Sequence, residues 1–495
     1  MIERDVVRAS EEPYDLIVVG GGIYGVCLAM EAARRGLHPL LIERDDFGGG
    51  TSWNSLRIIH GGLRYLQSFD LPRFVESVGE RRWFCRTYPD LVEPLECLMP
   101  LYGSGLRRPS VLRVALTLND ALTWRRNAGV RKDRRLPPAR VLDRAATASL
   151  FPAVDPEGLL GGAVWYDAVM ASSPRVLTET LRWACRNGAR ALNYVECVGL
   201  STEGDRVAGV RAVERLSGDG VSFRAPVVVN CAGPWTRSVA ERLDRVHEPL
   251  FRPSLAFNVL LDHEPPSTAA LAVAARRPGA RTHFIRPWLD RTLAGTFHAP
   301  CAGYPCSTSP SEEQIEQFLR ELREAVPALD FDQADVVRVY SGLLPARRIG
   351  SDDLSVREVV VDHGASGGPS GLWSVSGVKY TTARHVAERT LRRIFRDRNL
   401  DVRAGTDRER SRASLSYDDP STVERDGSEE TARALRALVR EEAVLSMEDL
   451  LLRRTDWGSD PARAGSVASA VNRLLGAPLP PTAVPGPARV DADAC

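Results

Sequence analysis

The chain has 495 residues, of which 65 are basic and 64 acidic, for a net charge of +1 at neutral pH. This length allows two or three domains with substantial cores, and the balanced charge argues against a nucleic acid partner attracted by an overall field. The sequence has no run of about 18 apolar residues, so it predicts no membrane-spanning helix. The polar N-terminal segment lacks the apolar centre of a signal peptide. We therefore expect a cytoplasmic protein, and peripheral contact with the inner face of a membrane stays open.

The nine cysteines are scattered, without C-x-x-C pairs or the spacing of metal ligands. In a chain of this size the pattern predicts reduced thiols and not a disulfide framework. It also gives no reason to expect a metal site.

Residues 14–44 predict a strand, a tight turn, a helix and a second strand. Gly20, Gly22 and Gly25 have the spacing G-x-G-x-x-G, which provides the turn, the approach of backbone to a pyrophosphate and close helix–strand packing. Glu43 follows Gly20 by 23 residues, where a carboxylate can accept hydrogen bonds from ribose hydroxyls. The combination predicts dinucleotide binding. A glycine-rich turn in an ordinary α/β domain is the alternative, and it leaves the combination unexplained.

The stretch from Gly48 to Tyr65 mixes glycines, hydroxyl residues, arginines and a histidine without helical or strand periodicity. Loops of this length inside a compact domain are usually functional or disordered, and this one has too many bulky apolar residues for disorder. We predict that it wraps a polar ligand. An ordinary surface loop is the alternative.

Residues 71–248 alternate between helix-like and strand-like stretches. We predict a mainly helical region over 71–130, a strand over 162–166, a helix over 174–187, and strands near 190–198, 206–215 and 222–231. The last strand leads into Ala232-Gly233-Pro234-Trp235, which predicts one more tight turn between a parallel strand and a helix.

Residues 251–339 form a second region that begins and ends between pieces of the first. Its predicted elements are strands near 255–261, 281–286, 292–297 and 335–340 and a helix over 311–326. Further on, we predict a strand over 358–362, a hairpin at 367–369, and a strand, turn and helix start over 372–384. The remaining predictions are a linker over 400–428, a helix pair over 431–454 and a mobile Pro/Ala-rich tail over 478–495.

Taken together, these stretches resemble the FAD-dependent glycerol-3-phosphate dehydrogenases of the glycine oxidase and D-amino-acid oxidase superfamily. The His60-Gly61-Gly62-Leu63-Arg64-Tyr65 stretch is the most specific match and the glycine fingerprint the least. The resemblance implies an α/β fold: a Rossmann-like FAD-binding domain with an inserted mixed-sheet substrate domain and a C-terminal helical region. The implied boundaries are 14–99, 164–248 and 340–396 for the FAD-binding domain, 100–163 and 249–339 for the substrate domain, and 405–475 for the helical region.

The resemblance also implies site residues and chemistry. In that family FAD accepts a hydride from the carbon that bears the substrate hydroxyl, and a base takes the hydroxyl proton. Implied cofactor contacts are Gly20, Gly22, Ile23, Tyr24, Gly25, Glu43, Arg44, Thr51, Ser52, Ser55, His60, Val198, Ala232, Gly233, Trp235, Gly377, Lys379, Tyr380 and Thr381. Implied catalytic residues are His60, Arg64 and Lys379, and implied substrate contacts are Arg64, Tyr65, His298, Arg347 and Arg348.

Two of these assignments have alternatives. His60 is the candidate base, because an imidazole exchanges protons near neutral pH, or it only hydrogen-bonds the cofactor. Lys379 is one of only two lysines in an arginine-rich chain, which fits a site role or chance retention equally well.

The chain departs from the family pattern on the substrate side. Leu344 stands where the family has an arginine for the substrate phosphate, and His298 follows Phe297 where the family usually has Thr-Asp. Arg347 or Arg348 could replace the missing arginine. We therefore expect an enzyme for glycerol 3-phosphate or a similar small anionic alcohol; the alternatives are another hydroxy acid, amine or biosynthetic intermediate, or a flavin-binding module without turnover. The electron acceptor stays open among quinone, oxygen and a carrier protein.

Overall fold

The computed structural model describes residues 1–63, 65, 70–103, 108–301, 303–304, 306–397, 400–403, 417, 419–425 and 427–483. The strands are β1 (Leu16–Val19), β2 (Pro39–Ile42), β3 (Ile58–Ile59), β4 (Val92–Leu101), β5 (Arg140–Leu142), β6 (Gly161–Met170), β7 (Arg190–Leu192), β8 (Val195–Glu203), β9 (Arg206–Glu214), β10 (Gly220–Arg224), β11 (Val228–Asn230), β12 (Pro253–Leu261), β13 (Ala270–Val273), β14 (His283–Trp288), β15 (Arg291–Pro300), β16 (Val336–Pro345), β17 (Val359–Asp362) and β18 (Leu372–Ser376). The α-helices are α1 (Val6–Glu11), α2 (Ile23–Arg34), α3 (Leu71–Thr87), α4 (Pro109–Leu122), α5 (Arg144–Leu150), α6 (Ser173–Arg186), α7 (Thr236–Leu243), α8 (Glu312–Ala325), α9 (Ala383–Ile394), α10 (Ser421–Arg425), α11 (Glu429–Glu441) and α12 (Pro461–Leu475).

A six-stranded sheet carries the glycine fingerprint, with strands in the order β17-β18-β11-β1-β2-β7. Its strands are parallel except β17, which is antiparallel to β18. Every residue of β1 and β2 is buried, as expected for parallel strands covered on both faces. One face packs on α2, which in turn packs against α6 and α9. The predicted strand, turn, helix and strand over 14–44 are confirmed.

A nine-stranded mixed sheet forms the second layer, in the order β16-β12-β15-β14-β13-β4-β6-β3, with β5 paired to β6. Helix α8 begins at a capping box formed by Ser311 and Gln314 and packs Phe318 against Phe257 and Phe297 of the sheet. A separate antiparallel sheet has the order β10-β9-β8.

Helices α11 and α12 and a π-helical turn over Asp449–Arg454 share a core at the C-terminal end of the described chain. Buried ion pairs join this unit to the sheets. Arg454 bonds both oxygens of Asp46 at 2.6 and 2.8 Å, and Arg57 bonds both oxygens of Asp456 at 2.5 and 2.7 Å. The mixed α/β fold with a helical C-terminal region is as predicted.

Several local predictions need correction. The region 71–130 is mainly helical, in α3 and α4, but residues 92–101 form β4, which was not predicted. The predicted strand over 222–231 divides into β10 and β11, which lie in different sheets, and β13 was not predicted. The predicted helix pair over 431–454 is α11 followed by the π-helical turn. Most of the predicted linker and tail lies outside the described residues.

The nine-stranded sheet draws on distant parts of the chain. The predicted boundaries at 99/100, 163/164 and 339/340 each fall inside one of its strands, β4, β6 and β16 respectively. The chain therefore enters and leaves this sheet in shorter segments than the contiguous blocks that were predicted.

The prediction that all cysteines are reduced is wrong for one pair. Cys301 and Cys306, five residues apart in the chain, form a disulfide with Cα atoms 6.0 Å apart. The other cysteines in the described ranges are free thiols. None of the described helices has both the length and the apolar character needed to span a bilayer.

Candidate active site

A cavity of about 620 Å³ lies at the carboxyl ends of β1, β2 and β11, beside the nine-stranded sheet. Ligands of open parallel sheets bind at this end of the strands. The sequence-predicted residues that line the cavity are Gly20, Gly22, Ile23, Tyr24, Glu43, Arg44, Thr51, Ser52, Ser55, His60, Ala232, Gly233, Trp235, Gly377, Lys379 and Tyr380. Stretches far apart in sequence therefore meet around one space.

The fingerprint turn has the close packing that its glycines predict. Gly20 has a φ of +112°, and a Cβ there would lie 2.7 Å from the carbonyl oxygen of Cys231. A Cβ on Gly25 would lie 1.9 Å from the carbonyl oxygen of Gly20. The backbone of the turn is thus exposed to the cavity, and the first turn of α2 is held by the Ser52 hydroxyl, which accepts the Ile23 N–H at 3.0 Å.

Glu43 stands at the edge of this turn. Its carboxylate accepts the N–H of Gly21 at 2.6 Å and the N–H of Asp45 at 2.9 Å. Burial raises the pKa of Glu43, against the lowering effect of these two hydrogen bonds. Next to it, the Arg44 guanidinium lies 5.0 Å above the Trp235 ring.

The stretch after β18 is fixed by the Tyr24 side chain. Its hydroxyl donates to the carbonyl oxygen of Lys379 at 2.8 Å and accepts the N–H groups of Val378 and Lys379 at 3.0 Å each. A Cβ on Gly377 would lie 1.9 Å from the Tyr24 ring. The lysine side chain leaves this turn toward Tyr65, with Nζ 3.9 Å from the ring centroid.

His60 and the buried Asp167 form a hydrogen-bonded pair on the opposite wall. His60 Nδ1 lies 3.2 Å from Asp167 Oδ2, while Oδ1 accepts the Gly61 N–H and one Arg81 N–H at 2.7 Å each. Burial alone would raise the pKa of Asp167, but the His60 hydrogen bond and the Arg81 charge outweigh it and lower the pKa to about 2. The carboxylate is therefore ionised at neutral pH and orients the imidazole. With Nδ1 turned to Asp167 and the His60 side chain 46 % exposed, Nε2 is the nitrogen left to face the cavity.

Residues 15–393 match the FAD dependent oxidoreductase family. The chain belongs to this family. It is 33% identical to glycerol-3-phosphate dehydrogenase of Synechocystis over 79% of this chain and 72% of the relative. It is 32% identical to the mitochondrial glycerol-3-phosphate dehydrogenase of Mus musculus over 81% of this chain, and the match spans about half of that protein, 55%.

Solved structures of the family share the fold. The glycerol-3-phosphate dehydrogenase of Bacillus halodurans, complexed with FAD, superposes with a TM-score of 0.68 at 20% identity over 95% of this chain and 92% of the other. Glycine oxidase of Geobacillus kaustophilus gives a TM-score of 0.54 at 19% identity, over 81% and 99% of the two chains.

The residues of this FAD dependent oxidoreductase fit its cofactor. The exposed backbone of the fingerprint turn suits a diphosphate, and Glu43 has acceptor lone pairs beyond its two backbone hydrogen bonds for ribose hydroxyls. The cavity then continues between Tyr24, Trp235 and His60, which gives room for an extended dinucleotide. FAD binding follows from the family, and these residues are the ones in position to hold it.

Not every predicted site residue reaches the cavity. Gly25, Val198 and Thr381 are absent from its lining, as are Tyr65, His298, Arg347 and Arg348. Val198 is 42% exposed, and Gly25 instead allows α2 to pack against the turn. Arg64 lies outside the described residues.

Arg347 and Arg348 do not compensate for Leu344 in this structure. Leu344 lines the cavity, but both arginines are exposed beyond the end of β16. Arg347 points toward Asp353, with Nε 3.4 Å from a carboxylate oxygen. The chain turns outward after Pro345, and although Ala346 is still buried, residues 347–350 are exposed.

Sequence reasoning missed one residue behind the cavity wall, Asp167, and three groups of residues that line the cavity. Asp167 orients His60. Arg57 lines the cavity, is held by Asp456 and lies 3.9 Å above the Trp288 ring. Asn258 and Thr296 of adjacent strands are hydrogen-bonded to each other at 2.8 Å. The last group closes the cavity from the C-terminal end of the described chain, and its members are Glu448, Asp449, Arg453, Thr482 and Ala483.

Proposed function

We propose that this protein oxidises the secondary alcohol of glycerol 3-phosphate or a similar small anionic alcohol by hydride transfer to FAD. The observation that carries the proposal is the His60–Asp167 pair, which places an oriented imidazole on the cavity that the FAD-binding turn also lines. The names of the two relatives favour glycerol 3-phosphate as the first substrate to test.

The residues of the chain supply the proton chemistry. His60 Nε2 accepts the hydroxyl proton of the substrate as general base, and the substrate becomes a ketone as its carbon loses a hydride. Bound FAD supplies the hydride acceptor. Asp167 keeps Nδ1 protonated and stabilises the imidazolium that forms, while Arg81 and the Gly61 N–H keep Asp167 ionised.

Lys379 supports an anionic substrate, because it is a cationic residue of the cavity lining, with its ammonium group turned toward Tyr65. In this proposal the six-stranded sheet holds the cofactor. The nine-stranded sheet supplies the substrate wall through Asn258, Thr296 and Leu344. Leu344 is the observation that favours a second candidate, a hydroxy acid or amine without a phosphate.

Anaerobic absorbance of the flavin separates these candidates. We expect glycerol 3-phosphate to bleach the flavin of the purified protein within the turnover time of ordinary enzymes, about 0.1 s at a typical kcat near 10 per second. Bleaching by a hydroxy acid or amine, with none by glycerol 3-phosphate, would favour the second candidate. If no compound of the panel reduces the flavin, a binding module without turnover replaces both.

A Leu344→Arg variant refines this comparison. If the wild type lacks a phosphate ligand, the new guanidinium should lower the KM for glycerol 3-phosphate about tenfold, equivalent to about 1.4 kcal/mol, and leave that for glycerol unchanged. Leu160→Arg is the matched control, since Leu160 is 51% exposed and does not line the cavity. An equal response of both variants would remove phosphate recognition as the reason.

Helix α4 supports peripheral contact of a cytoplasmic enzyme with a membrane. Its exposed side carries apolar side chains at helical spacing, followed by an indole that is 76% exposed: Val111, Val114, Leu118, Leu122 and Trp124. Exposed basic residues border this apolar stripe: Arg108, Arg113 and Arg125. An apolar face with a basic border suits the interface of an anionic bilayer.

A protein docked in this way meets lipid-soluble carriers, so we propose a quinone as electron acceptor. Sedimentation with vesicles of anionic phospholipid should capture the wild type, and Val114→Asp with Leu118→Asp should lower binding at least about tenfold. Val7→Asp is the control, because Val7 is 72% exposed on the distant helix α1. Unchanged vesicle binding in the double variant would exclude this surface, and reoxidation by oxygen or a carrier protein alone would exclude the quinone.

A further inference from the structure

Two histidines and a carboxylate lie together where the end of α7 meets the hairpin of β17 and β18. Asp244 follows α7, His247 lies in the loop after it, and His363 follows β17. None of the three lines the cavity described above. The proposed oxidation therefore has no use for this cluster.

The three side chains bring potential ligand atoms to one point. His363 Nδ1 lies 2.9 Å from Asp244 Oδ2, and His247 Nε2 lies 3.8 Å from the same oxygen. The ligand atoms of all three residues are within 4.8 Å of one another. In a tetrahedral zinc site with bonds of about 2.0–2.2 Å, the ligand atoms stand about 3.3 Å from one another. The distances between the present ligand atoms therefore need to change by a few tenths of an ångström to about 1.5 Å to form such a site.

His247 indicates that a partner belongs between these groups. Its Nε2 is shielded from solvent and makes no hydrogen bond within the described chain, and its side chain is only 14% exposed. A buried nitrogen without a partner costs about 1–3 kcal/mol. The hydrogen bond between Asp244 and His363 accounts for the position of those two side chains. It does not account for the burial of the His247 nitrogen.

His363 has the outer support that metal-bound histidines have. Its second nitrogen, Nε2, lies 2.9 Å from the Ser374 hydroxyl, which also accepts an N–H of Asn230 at 3.2 Å. Metal ligands of this kind are usually held through their other ring nitrogen. Ser374 can donate or accept, so it supports the ring both with and without a proton on Nδ1.

We propose that Asp244, His247 and His363 bind a divalent transition metal, for which zinc is the best match. Two imidazoles and one carboxylate form a borderline donor set that suits zinc better than calcium or magnesium. Binding displaces the proton of His363 Nδ1 to solvent and leaves a fourth position for water. Gly368 leaves room at the site, since a Cβ there would lie 2.4 Å from the Asp244 oxygen.

One protein cation, Arg245, stands next to the site, with Nε 3.4 Å from Asp244 Oδ2 and a side chain that is 51% exposed. It also donates to the carbonyl oxygen of Ser366 at 3.1 Å, which holds the guanidinium at the rim of the site. Bound metal would tie α7 to the β17–β18 hairpin. The same network continues through Asn230, whose side-chain oxygen accepts the N–H of Ala232 on the cavity wall. The metal would thus act as a structural staple behind the cofactor site.

The test uses the untagged holoenzyme, because an affinity tag of histidines would bind metal itself. Protein incubated with zinc and passed through a desalting column should retain about one zinc per chain by mass spectrometry. Cobalt in place of zinc should give the visible bands of a tetrahedral site. His247→Gln should weaken zinc affinity at least about tenfold, whereas His263→Gln, a histidine outside the cluster that contacts Phe331, should not.

Flavin absorbance reports separately whether each variant is folded and loaded. Wild-type protein that retains less than about 0.1 zinc per chain after loading would overturn the proposal, as would His247→Gln protein that keeps the full content. If His247→Gln fails to fold, the zinc content and cobalt spectrum of the wild type decide the matter alone.

Discussion

Asp167→Asn tests the proposed division of labour between His60 and Asp167. The substitution keeps the shape of the side chain and removes its charge, so the imidazole loses the group that stabilises its protonated form. We expect the rate of flavin reduction to fall while the cofactor stays bound, because Asp167 does not line the cavity.

The size of the effect follows from the distance between the two groups. Unit charges 3.2 Å apart attract by about 5 kcal/mol at an effective dielectric constant of about 20. Water reduces this attraction, since nearly half of the His60 side chain is exposed, and about half of it, near 3 kcal/mol, should remain. At about 1.4 kcal/mol per factor of ten, kcat/KM should fall roughly a hundredfold.

The assay is stopped-flow reduction of the flavin under anaerobic conditions across pH 5 to 9. Loss of the Asp167 charge leaves His60 Nδ1 without its carboxylate partner, so the rate should fall across this pH range. Asp133→Asn is the control, because Asp133 is exposed and far from the cavity. A variant whose kcat/KM stays within about threefold of the wild type across this pH range would refute the role of this pair.

Three further predictions concern the cavity wall and its supports. Gly377→Ala places a methyl group against the Tyr24 ring and should weaken FAD binding at least about tenfold in a flavin-release assay. Gly465→Ala, on the open surface of α12, is the control: it should raise the stability of the protein slightly. Arg57→Met leaves Asp456 buried without its partner and should lower the free energy of unfolding by about 3–5 kcal/mol, while adding Asp456→Leu should restore part of the loss in denaturant titrations. Glu43→Gln removes a buried carboxyl whose pKa is raised. In the wild type, ionisation of this carboxyl opposes folding above the unfolded pKa, so the apo variant should gain stability relative to the apo wild type as pH rises from 4 to 7. The same substitution should lower the affinity for FAD. Equal melting temperatures of the two apo proteins at pH 7 would contradict the burial argument.

The cofactor end of the site was predictable because its signals are local. The fingerprint and Glu43 lie in one stretch of 31 residues, 14–44, that forms one strand–helix–strand unit, so spacing alone specifies their relation. The pairing of His60 with Asp167 spans 107 residues, and no local pattern marks that aspartate. Likewise, the outward turn after Pro345 is a property of the fold, and it removed Arg347 and Arg348 from a site that their sequence position suggested.

Strand β4 shows why one element was assigned wrongly. Pro94 and Pro100 argue against a strand, because proline cannot donate to the hydrogen-bond ladder. In the structure β4 pairs with β6 along its whole length but with β13 only at Cys97 and Leu98. Both prolines thus lie where β4 has a paired strand on one side only. A strand with these prolines can be predicted only when the order of strands in the sheet is known.

The closure of the cavity by residues 448–483 has a consequence for biosynthesis. Glu448, Arg453 and Ala483 contribute to its wall, yet they leave the ribosome hundreds of residues after the fingerprint turn. Because these residues follow both sheets in the chain, we expect the cofactor to be fully enclosed only after the C-terminal unit has docked through Arg454 and Asp456.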